Sequence, residues 1–207
     1  RQQSILGAVV REYIATARPV ASQDLSSAKH DFGVGSATIR NEMLALDEMG
    51  YLEQPYTSSG RMPTDKGYRF FVDHLTDDDG ELTGRERAKI RELFAGLGDE
   101  DIFVKEFSRT ISQMTGTFAA AGLFDDALFY DVGFSQILKE PEFQDVAYLE
   151  DFGRLIDSLD DAVRGLCEQS RDAHERVFIG KENPLAQGGS HAMIVSSWRH
   201  PAGFEGF

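Results

Sequence analysis

Cysteine, tryptophan and long apolar runs are the scarcest features of this 207-residue chain, which carries one Cys, one Trp and six Pro. The lone thiol, Cys167, can close no internal disulfide, and its neighbours follow a helical rather than a metal-ligating pattern, so a buried or half-buried thiol is expected. No apolar run approaches the roughly eighteen residues that cross a bilayer, and no charged-then-apolar leader opens the chain. A cytoplasmic protein with no membrane partner is the expectation. His30, His74, His174, His191 and His200 lack the short spacings of a zinc site, and neither a nucleophile elbow nor a Cys–His signature occurs. That argues against an enzyme, a metal and a cofactor. The segment GKENP at 180–184 lacks the preceding glycine and following hydroxyl residue of a phosphate loop, and reads as a strand-ending turn.

Hydrophobic residues make up 41% of the chain and charged residues 27%, an ordinary balance for a soluble globular protein of one or two domains. The formal net charge of −14 weighs against nucleic acid, because non-specific affinity comes largely from cations on phosphates. Its distribution softens the objection. Through residue 75 there are eight Lys and Arg against nine Asp and Glu, a net of −1, while the remainder holds 13 against 26, a net of −13. Arg18, Lys29, Arg40, Arg61, Lys66 and Arg69 can form a local positive surface if the fold gathers them.

Periodicity then organises the first 75 residues. A first helix from about Gln3 to Ala17 carries Ile5, Val9 and Tyr13 on one line with Leu6, Val10 and Ile14 beside it, and Pro19 stops it. Ser22 offers an N-cap for a short helix through Lys29. Ser36 starts a third helix, closed by Gly50, whose core stripe is Ile39, Met43, Leu46 and Met49; Ala37, Arg40, Asn41 and Leu44 take another face. Leu52–Tyr56 and Arg61–Met62 flank Ser58-Ser59-Gly60, which reads as a hairpin bending at the glycine. Thr64 can cap a last helix with Tyr68, Phe71, Val72 and Leu75 on one face. Helix, turn, helix and hairpin in this order predict a winged helix-turn-helix over residues 1–75.

Asp77-Asp78-Asp79-Gly80 lacks the spacing and distal glutamate of a calcium loop and reads as an acidic linker over 76–82. Thr83 and Glu86 then form a capping box before Ile90, Leu93, Phe94 and Leu97. From Val104 the residues Phe107, Ile111, Met114, Phe118 and Ala121 step by three and four, a seam that suits either intramolecular packing or a subunit contact. Residues 128–132, 176–179, 193–198 and 203–207 read as strands, with a helical stretch from near Pro141 that turns Leu155, Ile156, Leu159 and Val163 inward. The whole is α+β: an N-terminal winged helix-turn-helix followed, over 83–207, by a helical region and a mixed α/β domain.

The blocks EYI, PVASQDL, SATIRNEM, GYLEQP, TSSGR and PTDKGYR, with GFSQILKEPEFQDV at 133–146 and VFIGKENP at 177–184, resemble the HrcA family of heat-inducible transcription repressors. The resemblance implies a GAF-like effector domain, a CIRCE-type inverted-repeat operator before chaperone genes, and a GroE-type chaperonin partner. It departs in one place: family members carry a longer stretch between the helix ending near Phe118 and GFSQIL, where about a dozen residues stand here. A reduced GAF-like domain and a reduced dimerisation element are therefore expected. The first residue is Arg1 rather than methionine, and the family would continue past GFEGF with a strand and a helix, so a fragment or an incompletely covered chain is expected.

These readings converge on a repressor that binds double-stranded DNA as a homodimer. Arg40 matches the two acceptors of guanine, and Asn41 matches the donor and acceptor of adenine. Ser36 and Thr38 can hold a phosphate at the helix N-terminus or simply cap it. Ser22, Ala37, Ser59 and Lys66 complete the expected DNA-binding set, with Arg61 entering a minor groove or gripping a phosphate. Val104, Phe107, Ile111, Met114 and Phe118 are the candidate dimer contact. Two other readings fit the same residues: a metabolite-responsive winged-helix regulator, and a protein-interaction module without specific DNA binding.

Overall fold

The computed structural model describes residues 1–26, 32–74, 82–96, 98–126, 128–159, 165, 175–185 and 191–207. The chain is α+β and divides into two compact units, Arg1–Gly80 and Glu81–Phe207. The anticipated acidic linker, together with Lys29, Leu75, Leu97, Val163 and Cys167, falls at least in part outside the described residues.

In the first unit, α1 (Gln2–Thr16) sends Ile5, Leu6, Val9 and Val10 into the core, and Ala17 ends it in a left-handed conformation with its N–H donating to the Tyr13 carbonyl. Ile14, expected in the same stripe, is 52% exposed, because the buried run of α1 ends at Val10. Where a helix from Ser22 was expected, the described residues hold one 3-10 turn, Asp24–Ser26. There the capping contact comes from Asp24, whose carboxylate accepts the Ala21 N–H at 2.8 Å. Leu25 seals this turn against the core.

Helix α2 (Ser36–Glu48) buries Ile39, Met43 and Leu46. Met49 does not join them and is 42% exposed, since the helix has already closed at that point. Gly50 adopts a φ of 76°; its N–H donates to the Asp47 carbonyl while that of Tyr51 reaches back to Leu46, a Schellman closure. Strands β1 (Leu52–Glu53) and β2 (Met62–Pro63) pair antiparallel with Leu52 opposite Pro63, and Arg61 exchanges both backbone hydrogen bonds with Val20. The hairpin tip bends at Ser58, with φ of 71°, and not at Gly60 as expected. Gly60 serves close approach instead: a Cβ there would lie 2.4 Å from the Val20 carbonyl. Helix α3 (Asp65–His74) is capped by Thr64 as anticipated, the hydroxyl accepting the Gly67 N–H, and packs Tyr68, Phe70 and Phe71 on the core.

The second unit opens with α4 (Gly84–Gly96), whose Thr83–Glu86 capping box forms in both directions and holds the Glu86 carboxyl below its ordinary pKa. Helix α5 (Glu100–Thr115) starts at Asp99, which accepts the Ile102 N–H, and stops at Gly116 with φ of 72°. Phe118 and Ala121 therefore lie beyond the helix on which their spacing had placed them. Ala119–Gly122 is instead strand β3, antiparallel to β4 (Phe129–Val132). Next come α6 (Phe134–Ile137), a 3-10 turn at Pro141–Gln144 and α7 (Val146–Asp157), the last capped by Asp145. Strands β5 (Glu175–Phe178) and β6 (Met193–Ser196) pair antiparallel, as do β7 (Trp198–Arg199) and β8 (Glu205–Gly206). A bridge from Leu123 to Gly206, flanked by paired hydrogen bonds between Gly122 and Phe207, joins β8 to β3.

Alternation along β3 and β4 divides the apolar residues between two cores. Ala121, Leu123, Leu128 and Tyr130 join Leu93, Phe103 and Val104 of α4 and α5, while Ala120 and Phe129 join Ile137, Phe152, Leu155 and Leu159.

Candidate nucleic-acid interface

Helix α2 holds the residues with recognition chemistry, and its own fold decides which way they point. With Ile39, Met43 and Leu46 buried, Ala37, Arg40, Asn41 and Leu44 stand exposed on the opposite side. The side chains of Arg40 and Asn41 make no hydrogen bond or ion pair among the described residues. At the helix start Gly35 is the extended N-cap and, among the described residues, no side chain caps the helix, with Ser36 and Thr38, both half-buried, beside the positive end of the helix dipole.

Other expected contacts are engaged within the unit. Arg61 Nε donates to Asp47 Oδ2 at 2.8 Å, with the two side chains 14% and 30% exposed. Lys66 Nζ donates to the Met49 carbonyl at 2.8 Å and sits 4.2 Å from the centre of the Tyr51 ring, where it satisfies the end of α2. The Ser59 hydroxyl donates to the Tyr56 carbonyl at 2.7 Å, with the Gly60 carbonyl 3.0 Å away, and shapes the hairpin tip. Ser22 lies in the turn before Asp24–Ser26. Asp47 was not singled out by sequence. Fourteen positions separate it from Arg61, and no local spacing signals such a pair.

The seam read as a possible subunit contact is largely taken up inside the second unit. Val104 is fully buried, Phe107 packs against Phe94, Phe103 and Trp198, and Phe118 meets Phe152 edge-on. Ile111 and Met114 are half-buried. The GKENP segment forms a turn, Gly180–Glu182, whose Glu182 carboxylate accepts the Ile179 N–H, while Asn183 bonds the His191 carbonyl and the Leu185 N–H. Beside it His191 faces Asp151 at 3.4 Å between the rings of Phe143 and Phe152, and burial pushes its pKa down against the pull of that carboxylate. No cluster of three or more His, Cys, Asp or Glu that could hold a metal occurs among the described residues, and none of their helices is long and apolar enough to cross a membrane.

Residues 79–205 match the family model described as the HrcA protein C terminal domain. The chain belongs to the HrcA family. Curated relatives are similar to this HrcA-family chain as well. The heat-inducible transcription repressor HrcA of Alkaliphilus metalliredigens (strain QYMF) is 47% identical over 116 residues, covering 56% of this chain and 33% of that protein. That of Thermobifida fusca (strain YX) is 44% identical over 115 residues, with the same coverage of each. The match thus spans about a third of the length of these curated HrcA relatives. In fold, the chain is similar to a solved structure described as a hypothetical protein, with a TM-score of 0.73 at 20% identity over 100% of this chain and 90% of that one.

Proposed function

We propose that residues 1–75 of this HrcA-family chain form a winged helix that binds double-stranded DNA, and that the protein represses heat-shock genes. The observation that carries this reading is the outward face of α2, where Arg40 and Asn41 stand exposed beside Ala37 and Leu44, without a side-chain partner among the described residues. Two bidentate hydrogen-bonding side chains next to two apolar ones form a set suited to major-groove edges, the apolar pair meeting thymine methyls. The names of the curated relatives support the repressor role. The operator is a CIRCE-type inverted repeat read by a homodimer, because one such helix spans only a few base pairs and a two-fold axis doubles the contacts. A GroE-type chaperonin, implied by the family resemblance, sets the active fraction.

Binding-site selection from random duplexes is the direct test. An inverted repeat should be recovered, and its affinity should fall steeply with salt, as counterion release requires. Recovery of no preferred sequence, or affinity indifferent to salt, overturns the reading.

A further inference from the structure

Arg61 sits where three segments of the first unit meet. Its backbone exchanges two hydrogen bonds with Val20, both 2.9 Å, and its guanidinium crosses to Asp47 in the last turn of α2. Just before it, Gly60 packs so close to the Val20 carbonyl that a Cβ would have no room there. The end of α2 is held from other sides as well. The Thr64 hydroxyl donates to the Gly50 carbonyl at 2.7 Å, and Lys66 donates to that of Met49. An arginine pinned at its Nε and largely covered is poorly placed to reach along a groove, yet well placed to fix the angle between hairpin and helix.

We propose that Asp47 and Arg61 are a positioning pair, which sets the hairpin and the α2 reading face in one rigid arrangement complementary to a duplex. This rests on the DNA-binding reading of residues 1–75 and assigns Arg61 a role through Asp47 in place of a contact with a phosphate or the minor groove. The proposal reverses the sign expected for Asp47. A carboxylate beside a DNA-facing helix repels phosphates, so its removal should strengthen binding if charge were its only effect. As a strut, its removal weakens binding.

The test uses the full 207-residue chain and a duplex recovered by selection with the wild type. Asp47→Asn is expected to lower affinity about tenfold while leaving the slope of log affinity against log salt unchanged. Arg61→Ala should lose a similar factor, and the double variant should bind no worse than Arg61→Ala alone, since both remove one interaction. Asp47→Glu, which keeps the charge within reach of Arg61, should restore affinity to within about threefold of the wild type. Melting curves establish that each variant is folded. Asp47→Asn binding at or above the wild-type level overturns the role, as does an Arg61→Ala slope reduced by about one phosphate contact. A wild-type chain that retains no duplex overturns the role together with the reading beneath it; the other two outcomes leave that reading standing.

Discussion

At the residue scale, uncommitted and committed side chains on the same unit should respond differently to substitution. Arg40→Ala and Asn41→Ala should each cost about 1–3 kcal/mol on the selected duplex and less on random DNA, which fluorescence anisotropy with both duplexes measures. Equal losses on the two would mean that these residues meet backbone rather than bases. His191 supplies a second case, governed by protons. Its folded pKa lies below the ordinary 6.5 because burial opposes the cation. The unfolded chain then binds a proton first as pH falls, so the stability contributed by neutral His191 is intact above 6.5 and is lost as pH drops through the depressed value. The melting temperature should therefore fall between pH 7 and pH 5.5 by more in the wild type than in His191→Asn. Equal falls would show that the loss comes from titrating groups other than His191.

At the scale of elements, the boundary between α5 and β3 shows what a pattern of spacings can and cannot carry. Stripes such as Ile39, Met43 and Leu46 could be read directly, because one helix buries one face, and the Gly50 closure of α2 and the Thr64 cap of α3 lie in plain view. Strand β3 could not. Its Ala119, Ala120 and Ala121 have no β-branched or aromatic signature, and Phe118 and Ala121 happened to extend the helical spacing past Gly116. The exposed face of α2 was likewise visible in advance, whereas the commitments of Arg61 and Lys66 depend on partners brought near by folding. Gly133 tests this boundary physically. It has a φ of 98°, and a Cβ there would lie 2.2 Å from Ser112 Oγ and 2.5 Å from the Thr117 carbonyl. Gly133→Ala should destabilise the second unit by about 2–4 kcal/mol, combining strain with overpacking. Gly153→Ala, inside α7 with nothing within 4 Å, should stabilise it by about 0.5–1 kcal/mol. Denaturant melts of both variants decide it, and a benign Gly133→Ala would mean that the turn relaxes freely.

Considered whole, the chain joins units of unequal robustness. The first gathers α1, α2, α3 and the hairpin around a single core in which Ile5, Val9, Leu25 and Ile39 are completely enclosed. The second divides its apolar residues between two cores, and one of these, built on Ile137, Phe152, Leu155, Leu159 and Leu185, leaves every member slightly exposed. The net of −13 over residues 76–207 adds self-repulsion. On heating, backbone amides of 120–207 should exchange before those of 1–75, as hydrogen exchange with mass spectrometry would record. The reverse order would show that the second unit is not the less stable of the two.

The pairing of Gly122 with Phe207 also bears on time. Strand β3 meets β4 after a short turn, but its other neighbour, β8, comes from the far end of the second unit. Such distant partners slow assembly, because the intervening chain must be restrained before the contact forms. During synthesis at about 5–20 residues per second, the segment from Gly122 to Phe207 takes several seconds to appear. Every element of the first unit already precedes it in the chain. A newborn molecule therefore passes through an interval in which its first unit can fold while the sheet of its second is still waiting for a strand.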